Sequence, residues 1–179
     1  MNSTSYKVAL GGIISALCLV SMFLTGVIPI LSLALPMIAG TLMMIIKVEV
    51  STGWSFLTYI AVSMLSLFVT FDKESSVMFI FLFGLYPILK TFFDKVKLKL
   101  VRVLSKLIYY NVSVTIAFQI TFKLFGMEEL ADQMNQYFPH GMLVLLIATN
   151  PVFWMYDYVL NNLIDIYYKK LKPKISNDK

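Results

Sequence analysis

Catalysis needs a nucleophile, a proton-transfer group or a metal set, and this chain of 179 residues offers little of any. Its single histidine, His140, stands in a Pro-His-Gly turn with no second His or Cys beside it to share a metal. Its single cysteine, Cys18, lies in an apolar run, so no disulfide can form within one chain. No phosphate-cradling glycine loop, HExxH or GxSxG occurs, so the chain has no ATP site of its own and reads as a non-enzyme without a cofactor. Polar residues do make one pattern. Asn150, Trp154, Asp157, Asn161 and Asp165 follow an i, i+4, i+7, i+11, i+15 spacing and fall on one helical face. Polar groups facing lipid would go unpaired, so this face is expected to point into a helical bundle. A carboxamide both donates and accepts, which suits a small polar ligand; Asn150, with Gln119 on the neighbouring helix, is the expected ligand contact. Asp157 lies deeper, level with Asn111 and Tyr86. There a carboxylate held by neighbouring donors is favoured over a proton or ligand site.

The elements that must position these residues follow from composition. Hydrophobic residues make up 59% of the chain and charged residues 14%, against about a quarter charged in an ordinary soluble domain. So apolar a chain of this length requires a bilayer. Val8 to Ile46 contains no charge; as one helix it would reach roughly 58 Å, about twice the hydrocarbon thickness, so it is read as two spans turned at Thr25-Gly26 and Pro29. Pro36 is expected to kink the second. Lys7 ahead of an apolar stretch could begin a signal peptide, but no convincing small-x-small cleavage site follows and the run continues into a second span, so it is read as retained. The expected bundle is all-α with six transmembrane helices near 8–25, 28–46, 53–71, 75–89, 107–122 and 141–166. These form a single domain over 1–172, followed by a basic cytosolic tail at 173–179. Gly84 and Pro87 should kink or partly unwind the fourth span. A short surface helix is expected between Lys123 and His140.

Charge sets the orientation. The stretch from Lys90 to Lys106 holds six of the fifteen Lys and Arg residues. Cations cost about 2.5–3.5 kcal/mol each at mid-bilayer on insertion scales and are retained in the cytosol, so this stretch reads as a cytosolic loop. With both termini cytosolic, thirteen cations fall inside and only Lys73 and Lys123 outside. That excess, beside apolar spans, is explained by topology and anionic headgroups, with no nucleic acid required. The outer acids Asp72, Glu74, Glu128, Glu129 and Asp132 raise the idea of a cationic ligand, although outer loops depleted of Lys and Arg look acidic regardless.

In the first helix Gly12 and Ala16, like Gly11 and Ser15, stand four apart and make a flat face for close helix approach. The chain length, six spans, small-residue first helix (ALGGIISAL), the turn TGVIPILSLALPMIAG and the proline-bearing second span together resemble the S components of energy-coupling factor (ECF) transporters. The resemblance implies a multi-pass cell-membrane protein that captures a small molecule, such as a vitamin or other micronutrient, from the outer side. A coupling transmembrane subunit and ATPase subunits would be its partners. The family docks on its coupling subunit through alanines four apart in this helix, a spacing here held by Gly12 and Ala16. The ligand-binding patterns of the thiamin, riboflavin and biotin members find no match, so the resemblance leaves the substrate open. Two other classes compete: a membrane scaffold or regulator whose polar stripe only specifies packing, and a membrane-embedded enzyme. A scaffold should have a filled bundle, whereas an S component should have a pocket in its outer half.

Overall fold

The computed structural model describes residues 3–124, 141–167 and 169. These are helical almost throughout, with no strand among them. Helix α1 spans Thr4–Val27, capped by Ser3, whose side chain accepts the Tyr6 N–H. A short 3₁₀ turn at Pro29–Leu31 leads to α2, Ala34–Glu49. Ser51 caps α3, Thr52–Val69, and Asp72 caps α4, Lys73–Met78, each accepting a first-turn N–H. A π-helical turn at Phe79–Phe83 follows, then α5, Tyr86–Phe93. The last two helices are α6, Lys99–Leu124, and α7, Gly141–Ile166. Five stretches are long and apolar enough to cross a membrane: Thr4–Val27, Thr52–Val69, Lys73–Phe93, Lys99–Lys123 and Leu143–Ile166. Their outward faces carry large apolar side chains, Phe68 at 84% exposure among them, as lipid contact requires.

Several boundaries depart from the sequence-based expectation. The second helix begins at Ala34 rather than near 28, which puts Pro36 in its first turn. An N–H there has no intrahelical partner to lose, so the proline costs no hydrogen bond and the kink expected of it has no cause. The basic stretch is also less of a loop than its charges imply. Helix α5 runs on to Phe93 and α6 already begins at Lys99, because Lys90 and Lys106 find carboxylate partners inside the bundle. His140, the expected surface helix between 123 and 140 and the tail at 173–179 lie outside the described residues.

Helix α2 and the π turn are shared by two apolar clusters. Met43 packs with Ile14, Cys18, Met22, Val62 and Phe79 on the α1–α3 side. Met44 packs with Leu82, Phe83, Tyr110, Phe153 and Tyr156 on the α6–α7 side. The π turn leaves backbone carbonyls needing partners, and three tyrosines from three helices supply them. Tyr59 Oη donates to the Ile80 carbonyl at 2.6 Å, Tyr109 Oη to Phe81 at 2.9 Å and Tyr156 Oη to Phe83 at 3.0 Å. The last has a simple cause: Pro87, four residues after Phe83, has no N–H to give. At this point α2 must come close. A Cβ on Gly40 would lie 2.1 Å from the Phe83 oxygen and 2.4 Å from Tyr156 Oη, so only glycine fits.

Gly40→Ala is therefore expected to overpack the junction by about 1–3 kcal/mol, and Tyr156→Phe to strand the Phe83 carbonyl at a cost of about 1–2 kcal/mol. Thermal unfolding in detergent should place both below wild type, with Gly12→Ala, in open space, as the neutral control. Equal melting points for all three would remove the junction from the stability argument.

Candidate functional site

At one end of the bundle four charges meet. Asp157 of α7, 5% exposed, accepts from Tyr86 Oη at 2.5 Å, Lys90 Nζ at 2.8 Å and Lys106 Nζ at 3.1 Å. Asp94, in the turn after α5, accepts from the same two ammonium groups, Lys90 at 2.9 Å and Lys106 at 2.7 Å. Lys90 has no exposed surface. Two ammoniums and two carboxylates make the quartet formally neutral, the condition under which charge can be kept inside a bundle. Tyr86 and Lys90 stand four apart on α5 and Asp94 four further on, at its C-cap, so one face delivers all three. Outside the quartet this end remains cationic. Burial first, and then the nearby Lys95 charge, hold the Lys47 ammonium below its ordinary pKa.

Sequence reasoning brought Tyr86 to the level of Asp157, and the two are hydrogen-bonded. Asn111, expected at the same level, is elsewhere: it exchanges carboxamide hydrogen bonds with Asn150 at 3.3 and 3.4 Å, clasping α6 to α7. Asn150 also donates to the Leu146 carbonyl, so its polar atoms are already engaged within the protein. Gln119 is exposed. It lies one residue, about 100° of helix, past Phe118, which does face a cavity. Neither Asn150 nor Gln119 is among the residues that line that cavity. Of the stripe on α7, Asp157 is buried, Asn150 half-buried, and Trp154, Asn161 and Asp165 are exposed at the bundle's edge. The small residues of α1 divide. Gly11 is buried against Thr58 of α3, whereas a Cβ on Gly12 would meet nothing within 4 Å and Ala16 is exposed.

Lys90, Asp94 and Lys106 were missed as site residues. The charge count takes both lysines as topological labels and leaves Asp94 out, although the i, i+4 repeat from Tyr86 through Asp94 signals a helix continuing past Leu89.

The opposite half of the same helices holds a cavity of about 160 Å³. Met78, Leu82 and Phe83 form one wall, Tyr110, Val114 and Phe118 of α6 a second, and Thr149, Val152 and Phe153 of α7 a third. Leu33 and Glu74 complete it, Glu74 being the single formal charge in the lining and itself exposed. The arrangement suits non-covalent binding of an apolar group; among the described residues the lining holds no cysteine or histidine. No family model, curated protein or solved structure matches the chain.

Removing one member of a buried ion pair leaves its partners uncompensated, typically at about 3–5 kcal/mol. Asp157→Leu should therefore lower the melting point sharply. Adding Lys90→Met should recover part of the loss, because one surplus buried ammonium disappears with it. Melting curves of the single and double variants decide the matter: a further additive loss in the double variant would show that the two side chains are not energetically coupled.

Proposed function

We propose that this chain is the substrate-binding subunit of an ECF-type uptake transporter, a six-span protein of the cell membrane with both termini cytosolic. The cavity lined by α4, the π turn, α6 and α7 carries the reading. A scaffold has no need of it, and charge bias puts it in the outer half, because the cation-rich quartet end is the cytosolic one. A dry apolar cavity of about 150 Å³ holds one benzene-sized ring, so this one matches a ring-sized apolar group. Glu74 at its edge favours a cationic or hydrogen-bond-donating end on the ligand. The absence of any nucleotide-binding motif leaves energy to partner subunits. The outward Gly12–Ala16 face of α1 supplies a surface where a coupling subunit could pack closely.

Native mass spectrometry of the purified protein should detect a bound small molecule. Val114→Phe, which fills the cavity from α6, or Val152→Phe from α7, should lose it while the ligand-free protein still folds. Retention of the molecule in both variants would place binding elsewhere.

Gly12→Leu tests the partners separately. Because the added side chain enters open space, the isolated protein should melt as wild type does, while copurification of coupling and ATPase subunits should fall at least tenfold. Undiminished copurification would move docking away from this face.

A further inference from the structure

Between α6 and α7, just outside the quartet, the bundle leaves a second cavity of about 400 Å³, and its chemistry is unlike that of the first. Lys99, Arg102 and Lys106 line it from α6 at i, i+3, i+7 spacing, and Trp154, Asp157 and Asn161 face them from α7 with the same spacing. Asp94 closes one end. The two carboxylates are already engaged, since Asp157 is bonded to Tyr86, Lys90 and Lys106, and Asp94 to both lysines. Lys99 and Arg102, by contrast, have no carboxylate within 4.0 Å among the described residues. Counting Lys90 behind the wall, four cations face two anions, and the surplus of two positive charges, on the exposed Lys99 and the half-buried Arg102, borders this open polar cavity.

We propose that this cavity binds a phosphate group, with Arg102 and Lys99 as its direct ligands and Lys106, fixed by Asp94 and Asp157, as a third positive charge at its floor. A guanidinium offers paired N–H donors that match two phosphate oxygens. Asn161, at the α7 wall, adds a carboxamide able to donate to a phosphate or to bond a glycerol hydroxyl. Two sources present this chemistry: the headgroup of an anionic phospholipid and a soluble phosphate ester. The surroundings fit the lipid. The site lies beside the basic turn, next to an exposed tryptophan, where headgroups lie, and Leu100, Leu104 and Ile108 of α6 are exposed apolar side chains along which an acyl chain can run. The site is separate from the proposed substrate cavity and does not depend on transport.

The full-length protein, delipidated in detergent, is titrated in native mass spectrometry with phosphatidylglycerol, phosphatidylcholine and glycerol 3-phosphate. Saturable binding of phosphatidylglycerol at least tenfold tighter than phosphatidylcholine is expected. Arg102→Gln and Lys99→Gln should each weaken it about tenfold, while Lys97→Gln, the same charge change at an exposed lysine outside the cavity, should leave it within twofold. Neither glutamine variant in the cavity breaks an ion pair, so both should melt like wild type. Glycerol 3-phosphate binding as tightly, with the same dependence on Arg102, would keep the phosphate site and assign it to a soluble ester. Equal losses from Lys97→Gln and Arg102→Gln, or no preference for phosphatidylglycerol and no glycerol 3-phosphate binding, would overturn the proposal.

Discussion

A carbonyl buried in a bilayer has no water to turn to, so a helix interrupted there must be repaired by the protein around it. The break between α4 and α5 is repaired by the hydroxyls of Tyr59, Tyr109 and Tyr156, one each from α3, α6 and α7. A local backbone irregularity thereby becomes the place where separate helices are fixed to one another. Gly40 belongs to the same requirement, because α2 can reach the junction only without a side chain. Both apolar clusters meet at α2 and the π turn, so the relative placement of the two halves of the bundle rests on this junction.

The two ends of the α5–α6–α7 group then have opposite characters. At one, Lys90, Lys106 and Asp157 are buried and bonded, with the exposed Asp94 bridging both lysines, which ties α5, the following turn, α6 and α7 together through charge. At the other, α6 and α7 join α4 and the π turn around an aromatic-lined space. A tightly held end beside an open one is a sound plan for a binding protein, since the wall residues gain fixed positions without filling the volume they surround. The aromatic contacts carry the order inward: Phe153 stacks on Tyr110 at 4.5 Å and meets Tyr86 edge-on at 4.9 Å, linking a cavity wall to a quartet donor.

What could be read from the sequence was set by periodicity and hydropathy, which depend on near neighbours. Of the six spans expected, five match helices long and apolar enough to cross a membrane among the described residues, and the interruption near Gly84 and Pro87 and the nearness of Tyr86 to Asp157 were legible in the same way. Pairings between distant segments were not. Nothing in the spacing of Asn111 and Asn150 says that they meet each other across two helices, and a polar residue such as Gln119 gives no sign that its helix turns it outward by a single residue. The lysines misled for a different reason. Charge bias treats every cation as a topological label, yet Lys90 and Lys106 are internal ligands of Asp94 and Asp157. The apolar cavity is lined almost wholly by residues that, in sequence, look like ordinary membrane-core positions.

Helix α2 is the short member of the set, at 16 residues. Its axial length is about 24 Å, roughly 6 Å less than a typical hydrocarbon slab. Its neighbours shield most of it, and the shortfall appears at its N-terminal end, where the 3₁₀ turn carries Ile30 at 90% exposure. A bilayer around this bundle therefore meets hydrophobic mismatch in the sector beside this turn. Lipids beside that turn must thin or tilt to follow it while those around the longer helices need not. Leu33, at the cavity's edge, belongs to this sector, so the thickness of the host membrane bears directly on the shape of the cavity mouth.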